Sequence, residues 1–557
     1  MDAIVEQNTF LRGFVRSHFQ TMTYQERFDF WDKHENWFNT QLPNATIQMP
    51  NDTLLREAYD AMLLSKGLML NSEIEVKLLI DENKDKEVQQ LYAQLAQNKL
   101  LLSNSNGTNR QQKDSLIEAI RREEKDLMYL LSDKLGDYTR RLDVTWNQVC
   151  HQLNDDDVAI EFMRSPISPD SIYYSALVLR SNYDSPHLVP LFVETQLQEI
   201  IGEDFYTSEA ASRLIWESLE NELLGASRVF FSPIGLLYSL GIEYLPFHDG
   251  KISDKFSLYR VSSTREITFQ QKKSIHETAT LYGGIDYDAD ASSLVESNQS
   301  MNIATSKGYR PRGATDRMAI RDITPLPETL TEIEQINTTL TDNNIEVSLF
   351  KEKQGTEDCL KAQSGLHPTY LHIATHGFFW DEEQSRDYSD LAFLQQALLW
   401  SAMDGHTNLV QEDRMLTRSG LLFAGANNTL QGIETPSNID DGILTAQEIS
   451  LLDFRGTNLV VLSACETGMG EITGEGVFGL QRGFKKAGVQ SLLMSLWSVD
   501  DTATRLLMTE FYKNVVERKM SKHESLKQAQ SYLSNYDDGR YADPRYWAAF
   551  ILLDGLD

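Results

Sequence analysis

The sequence predicts an α/β protein: a mostly parallel sheet flanked by helices, preceded by an all-helical region and a smaller α/β unit. Three observations carry this. Residues 1–153 place apolar side chains at helical spacing. From about residue 157, short β-rich runs alternate with helix-like stretches. Residues 453–501 then read as strand, Gly-rich loop, helix and strand, the crossover length of a parallel βαβ unit. The expected divisions are 1–153, 154–276 and 277–557.

Taken in order, Leu54–Leu70 predicts one helix, with Ala58, Ala61 and Gly67 as small packing positions. Glu87–Leu102 and Gln111–Leu153 continue the pattern, with charged faces such as RREEK that are expected to be solvated. No clean 34-residue period is present, so a helix-turn-helix repeat and a plain helical bundle both remain open. VAIEFM, IYYSALVLR, LVPLFVE and RVFFSP predict strands, and Glu209–Leu224 a helical stretch between them. ATLYGGIDY begins another strand near residue 279. Asp288–Pro327 is polar and aperiodic, a loop of the length that is usually functional or disordered. It carries Lys307, Arg310, Arg312, Arg317 and Arg321. Leu330–Leu340 predicts a helix, EVSLF and TYLHIATHG strands, and residues 381–441 a second loop-rich region. Two helices and the apolar strand WAAFILL end the sequence.

The 557 residues allow about three to five domains. An apolar fraction of 41% with 24% charged residues excludes wholesale disorder. The 51 basic and 82 acidic residues give a net charge of −31, which opposes direct association with nucleic acid or anionic lipid. Three dispersed cysteines, Cys150, Cys359 and Cys465, are neither a disulfide framework nor a metal knuckle, and they fit a reducing compartment. The opening MDAIVEQNTFLRGF has no secretory pattern, and no apolar run is long enough to span a membrane. A cytoplasmic protein without membrane contact is expected.

Cys465 follows the apolar run Leu459–Leu462 and precedes Glu466, Thr467 and Gly468, so it sits at the C-terminal end of a buried strand. His376 ends TYLHIA in the same way. Strand ends of this kind are where open α/β sheets place their ligands. One sheet edge thus brings together a thiol and an imidazole, a nucleophile and its base. The amides of Gly377 and Cys465 could hold an oxyanion, glycine allowing close backbone approach. Each residue alone also fits an ordinary core thiol or a satisfied histidine.

Other readings of these residues fail on geometry. His372 and His376 match H-x₃-H, but on a strand they lie ~13 Å apart, too far to share zinc. Gly474–Gly479 matches G-x-G-x-x-G, yet begins ten residues after the strand ends at Ala464, too late for a dinucleotide turn. Neither a metal nor another cofactor is expected. Cys150 and Cys359 fall in helix-like stretches and read as structural.

HIATHG, SGLLFAGAN, DGILTAQEIS, LVVLSACETGMGEITGEGVFGLQRGFKKAG, SLWSVDDTAT and RYWAAFIL, in this order, resemble the CHAT domain, a caspase-like cysteine peptidase module of clan CD. Weaker agreement reaches back to FFSPIGLLYSLGIEYLPF and SLYRVSSTREI. The resemblance implies a caspase-like catalytic domain over 277–557 and a pseudo-protease-like α/β subdomain over 154–276. It also implies an N-terminal region derived from tetratricopeptide repeats, eroded here. It assigns His376 and Cys465 as the catalytic dyad of a peptide-bond hydrolase, with Gly377 and Cys465 amides as oxyanion hole. SLWSVDD is similar to a segment of separase, which implies Asp501, with Asp500 as the weaker candidate, in a P1 pocket for Arg or Lys. An Asp at position 500 equally suits a helix cap. If the enzyme cuts after Arg, the basic 288–327 loop offers self-cleavage sites. The expected partners are a protein or peptide substrate and an activating protein docking on the N-terminal helices, often in bacterial defence. The rival expectation is a non-catalytic caspase-like scaffold or interaction protein in such a signalling or defence system.

Overall fold

The computed structural model describes residues 2–103, 110–131, 141–168, 171–202, 204–269, 276–301, 303, 323–379, 415–433, 435–436, 438–464, 468, 470–473 and 476–556. Its first part is helical: α1 (Asp2–His18), α2 (Tyr24–Asn36), α3 (Leu42–Gln48), α4 (Asp52–Ser65), α5 (Leu68–Glu82), α6 (Lys86–Ser103), α7 (Arg110–Leu131) and α8 (Trp146–Gln152). Polar caps start these helices where the sequence supplies them. Thr23 and Glu26 form a reciprocal capping box at α2, and Asn51 accepts the Leu54 amide at 3.1 Å to open α4.

Two expectations change here. The single helix over 54–70 is two, because Lys66 and Gly67 break it, Gly67 with φ +69°. The break turns Lys66 inward. Its Nζ donates to Glu161 Oε2 at 2.6 Å and to the carbonyl and hydroxyl oxygens of Ser232 at 3.0 and 2.9 Å. The charged RREEK face is only partly solvated: Glu123 and Glu124 are buried, the first accepting from Asn98 and the second paired with Lys99 at 2.7 Å.

An eleven-stranded sheet follows. Its first half contains β1 (Asp157–Ser168), β2 (Ser171–Leu179), β3 (His187–Val193), β4 (Arg228–Ser232) and, after the small hairpin β5 (Pro246–Phe247) and β6 (Gly250–Lys251), β7 (Ser257–Arg260). Short helices α9 (Glu194–Gln198), α10 (Ala210–Ile215), α11 (Glu220–Leu223) and α12 (Ile252–Lys255) lie between these strands. The second half contains β8 (Thr278–Ile285), β9 (Glu346–Glu352) and β10 (Tyr370–Ala374). Helices α13 (Ala291–Ser300), α14 (Pro327–Asp342) and α15 (Glu357–Lys361) connect them. The short strands β11 (Gly377–Phe379), β12 (Ser419–Leu422) and β13 (Ile443–Thr445) form a separate antiparallel sheet, with α16 (Ala426–Leu430) after β12 and α17 (Ala446–Ser450) after β13. Then come β14 (Leu459–Ser463), the hairpin β15 (Glu471–Thr473) and β16 (Gly476–Phe478), α18 (Leu480–Lys486) and β17 (Ser491–Ser495). Helices α19 (Asp501–Val516) and α20 (Lys522–Ser534) and strand β18 (Phe550–Leu553) complete the order.

The large sheet runs β3-β2-β1-β4-β7-β18-β17-β14-β10-β8-β9. It is mostly parallel, with antiparallel pairs only at β3–β2, β2–β1 and β18–β17. Because β18 opposes β17 and matches β7, the two halves run in opposite directions. Their parallel strands therefore end at opposite edges of the sheet. The strands β8, β10, β14 and β17 are buried almost throughout, as a sheet covered on both faces requires.

Inside the stretch 288–327, where a loop was expected, α13 forms. Asp290 accepts the Ser292 and Ser293 amides at 3.0 and 3.1 Å, and Leu294 is buried beneath it. Two adjacent apolar residues, Leu294 and Val295, are too few to show a helical period in sequence. Residues 304–322, which hold Lys307 and the four arginines of the basic loop, lie outside the described residues. In the loop-rich stretch 381–441, β12 and α16 form, and 380–414 lie outside the described residues. Among the described residues, no helix is long and apolar enough to cross a membrane.

Lys66 and Glu161 are 3% and 0% exposed, so removing one partner strands a buried charge. Lys66→Ala should lower unfolding stability by about 3–5 kcal/mol, whereas Lys66→Met with Glu161→Gln, which removes both charges and keeps an acceptor for Ser263 and Thr264, should cost clearly less. Urea unfolding followed by tryptophan fluorescence checks both.

Candidate active site

Strands β10 and β14 pair in parallel from Tyr370↔Leu459 to Ala374↔Ser463. His376 is two residues beyond Ala374, and position 465 is two residues beyond its partner Ser463. Cys465 itself lies outside the described residues, as do Glu466 and Thr467. The residues on either side of them are tied to one place. The Ser495 hydroxyl donates to the Ala464 carbonyl at 2.8 Å, and the Gly468 amide donates to the Ser495 carbonyl at 2.7 Å. A Cβ on Gly468 would stand 3.0 Å from that carbonyl oxygen, which explains the glycine.

His376 is half-buried and held on several sides. Its amide donates to the Tyr287 hydroxyl at 3.3 Å, and the two rings lie 5.3 Å apart. The Tyr287 hydroxyl also bonds Thr375 Oγ1 at 2.9 Å, and Thr375 in turn donates to the Leu422 carbonyl. On the ring, Nε2 lies 2.8 Å from the Thr324 carbonyl oxygen. A carbonyl only accepts, so Nε2 carries the proton and Nδ1 is left with a lone pair. Burial lowers the His376 pKa below the ordinary histidine value, against the Thr324 hydrogen bond and the Asp501 carboxylate, which raise it.

Gly377 opens β11 opposite Leu421. The Leu422 amide goes to the His376 carbonyl at 3.0 Å, so Gly377 and Leu421 are a pair that exchanges no hydrogen bonds. The Gly377 amide therefore points away from β12, on the side where β11 has no neighbouring strand among the described residues.

Four carboxylates gather near this edge. Asp500 is the N-cap of α19, accepting the Ala503 amide at 3.0 Å. Glu332 is buried against His372 Nε2 at 2.8 Å, and Glu328 pairs with Arg505 at 2.6 Å. Asp501, half-buried, is the one of the four without a hydrogen-bonding partner among the described residues. Burial raises its pKa; the His376 imidazole lowers it, while Asp500, Glu332 and Glu328 push it further up.

His372 lies on β10 with its ring directed to Glu332. Among the described residues, no group of three or more His, Cys, Asp or Glu side chains is arranged to hold a metal ion. Cys150 is buried in α8 and donates to the Arg180 carbonyl at 3.2 Å, and burial raises its pKa. Cys359 is buried in α15 beside Thr356, and burial pushes its thiol up to about 11. The sequence reading did not find Tyr287 or Thr324. Tyr287 had a signal, as the last residue of ATLYGGIDY after the strand. Thr324 had none, since only its backbone carbonyl is used.

The family model of the CHAT domain matches residues 206–555. Among curated proteins, tetratricopeptide repeat protein 28 of Mus musculus is 34% identical over 115 residues and that of Homo sapiens 31% identical over 114. Each match covers 20% of this chain, and the chain spans 4% of the length of these relatives. Among solved structures, gingipain R, an Arg-specific cysteine proteinase, aligns with a TM-score of 0.34 and 9% identity. That alignment covers 62% of this chain and 67% of the other. Separase in the Saccharomyces cerevisiae separase–securin complex aligns with a TM-score of 0.37 and 9% identity, covering 99% of this chain and 40% of the other.

Buried thiols with raised pKa values are poor nucleophiles. In a Cys465→Ser chain, iodoacetamide at about pH 7.5 should therefore add to neither Cys150 nor Cys359 until denaturant is present. Intact-mass measurement before and after unfolding checks this.

Proposed function

The chain belongs to the CHAT domain family, and on that footing we propose that it is a cysteine endopeptidase of the caspase-like kind, with His376 as base and Cys465 as nucleophile. The observation that carries the reading is the His376 tautomer. Nε2–H is held on the Thr324 carbonyl, and Nδ1 is free to take a proton at the end of a strand in register with the one leading to Cys465. In this mechanism Nδ1 accepts the Cys465 thiol proton as sulfur attacks the scissile carbonyl carbon. The negative charge passes to the carbonyl oxygen, held by the amides of Gly377 and Cys465. Collapse breaks the C–N bond while His376 returns the proton to the leaving amine. Water, giving a proton to Nδ1, then attacks the thioester; the peptide acid leaves and the thiol is restored.

Asp501 gives the specificity in this reading. A half-buried carboxylate without a hydrogen-bonding partner among the described residues, in a field made more negative by three others, favours a cationic guest. An Arg guanidinium can meet it with two charge-assisted hydrogen bonds. The substrate is thus a protein or peptide cut after Arg or Lys. Asp500 shapes the helix start through its cap and contributes field rather than contact. Self-cleavage after Arg310, Arg312 or Arg317 and docking of an activating protein on the N-terminal helices belong to the same proposal.

A fluorogenic peptide panel varied at P1 tests it. Arg should be best, Cys465→Ala and His376→Ala should abolish turnover, and Asp501→Asn should lower kcat/KM for Arg by about 10- to 100-fold. A best substrate with acidic or apolar P1 overturns the specificity, and turnover that survives Cys465→Ala overturns the mechanism. The pH profile has a fixed sign. The base must be neutral and its pKa is lowered from 6.5, so kcat/KM should rise with pH and reach half its plateau below pH 6.5. A half-point above that value contradicts the buried-base reading.

A further inference from the structure

We propose that Asn427 is a positioning residue for His376, its carboxamide gripping the Ile323 backbone so that the next carbonyl, Thr324, meets the imidazole Nε2–H. This rests on the peptidase reading for its kinetic consequence, though not for its geometry. Asn427 lies on α16, is 1% exposed, and makes contacts on two sides. Toward the segment, Oδ1 accepts the Ile323 amide at 2.8 Å and Nδ2 donates to the Ile323 carbonyl at 3.1 Å. The side chain thus reads one residue of backbone as a neighbouring strand would. Toward the sheet, Nδ2 donates to Asp288 Oδ1 at 2.7 Å, and the Asn427 amide donates to the Tyr287 carbonyl at 3.0 Å.

The orientation of the carboxamide follows from its partners. Asp288 and the Ile323 carbonyl can only accept, and the Ile323 amide can only donate, so the reversed amide would oppose donor to donor. The same clamp fixes both supports of the histidine. Tyr287, whose hydroxyl receives the His376 amide, is the residue before Asp288; Thr324, whose carbonyl receives the ring, is the residue after Ile323. A shift of the 323–324 segment would release Nε2–H and leave the proton free to occupy either nitrogen. The imidazole with Nδ1 protonated has no lone pair to offer the thiol. Aspartate at 427 keeps the volume but cannot donate to Ile323 and repels Asp288, so no isostere replaces the amide.

The test uses the full chain, with the Cys465→Ala form labelled with nitrogen-15 at histidine. The His376 ring nitrogens should report a single Nε2–H tautomer in that parent. Asn427→Ala and, as the volume-matched form, Asn427→Asp should each give a mixed tautomer. In chains that retain Cys465, the same substitutions should lower kcat about 100-fold with KM within about twofold. Ile323→Pro, which removes the N–H given to Asn427 together with the Ile323 side chain and the freedom of φ, carries the same expectation should both side-chain variants fail to fold. Folded variants that keep the parent's single tautomer overturn the proposal, as does a fall in kcat/KM carried by KM alone. A chain inactive on every peptide, in which Asn427→Ala still scrambles the tautomer, removes the peptidase reading and leaves the clamp supported.

Discussion

Five residue pairs between β10 and β14, from Tyr370↔Leu459 to Ala374↔Ser463, fix the level at which both strands leave the sheet. Both strands are buried along their whole length between β8 and β17, so a slip of one residue would exchange the side chains packed on the two covered faces and take His372 away from Glu332. The register is therefore set by the core, at no cost to the residues beyond it. Those residues inherit a shared starting height. What they need in addition is a partner for each backbone group that no longer has a strand beside it. Hydroxyl groups meet part of that need: Tyr287 takes the His376 amide, Thr375 donates to Leu422, and Ser495 donates to Ala464.

The electrostatics at this edge follow from what accepts the ring proton. A carbonyl, unlike a carboxylate, fixes the tautomer without placing a full negative charge beside the imidazole. Burial can then keep His376 below the ordinary histidine pKa, and so neutral, near pH 7. Negative charge is present nearby but most of it is occupied. Glu332 has His372, Glu328 has Arg505, and Asp500 has the start of α19. The net charge of −31 is thus a poor guide to this edge, where Asp501 is the one of the four carboxylates without a hydrogen-bonding partner among the described residues.

The sequence was most legible where the pattern was dense. The βαβ unit around Cys465, the strand ending at His376 and the helical first region all stood on many periodic residues. Short elements were less visible: β7 and β12 have four residues each, below the length at which alternation says anything. The helix break at Gly67 was hidden by an apolar pattern that continues across it. What the break makes possible is tertiary, the burial of Lys66 against Glu161, 95 residues away. Around the candidate site, the sequence names residues of suitable chemistry but not the groups that hold His376. Asn427 stood within the block SGLLFAGAN, yet its side-chain contacts are with Ile323 and Asp288, each more than 100 residues distant in sequence.

The N-terminal helices hold the sheet at its other edge, where β14 begins. Helix α5 touches the chain on both sides of that strand. Before it, the Lys77 ammonium donates to the Leu452 carbonyl, and Asp81 pairs with Arg455 at 2.8 Å. After it, Glu73 pairs with Lys486 on α18. These are not rim contacts free to exchange with water. Glu73 and Lys77 are largely buried, and burial brings the Lys77 ammonium down to about 8, so each charge depends on its partner. Displacing α5 would leave Glu73 and Lys486 without each other at the end of α18, shortly before β17. It would also free the 452–455 turn that precedes β14. The register of β14 would survive, because the core sets it, but the turn that leads into it would lose an anchor.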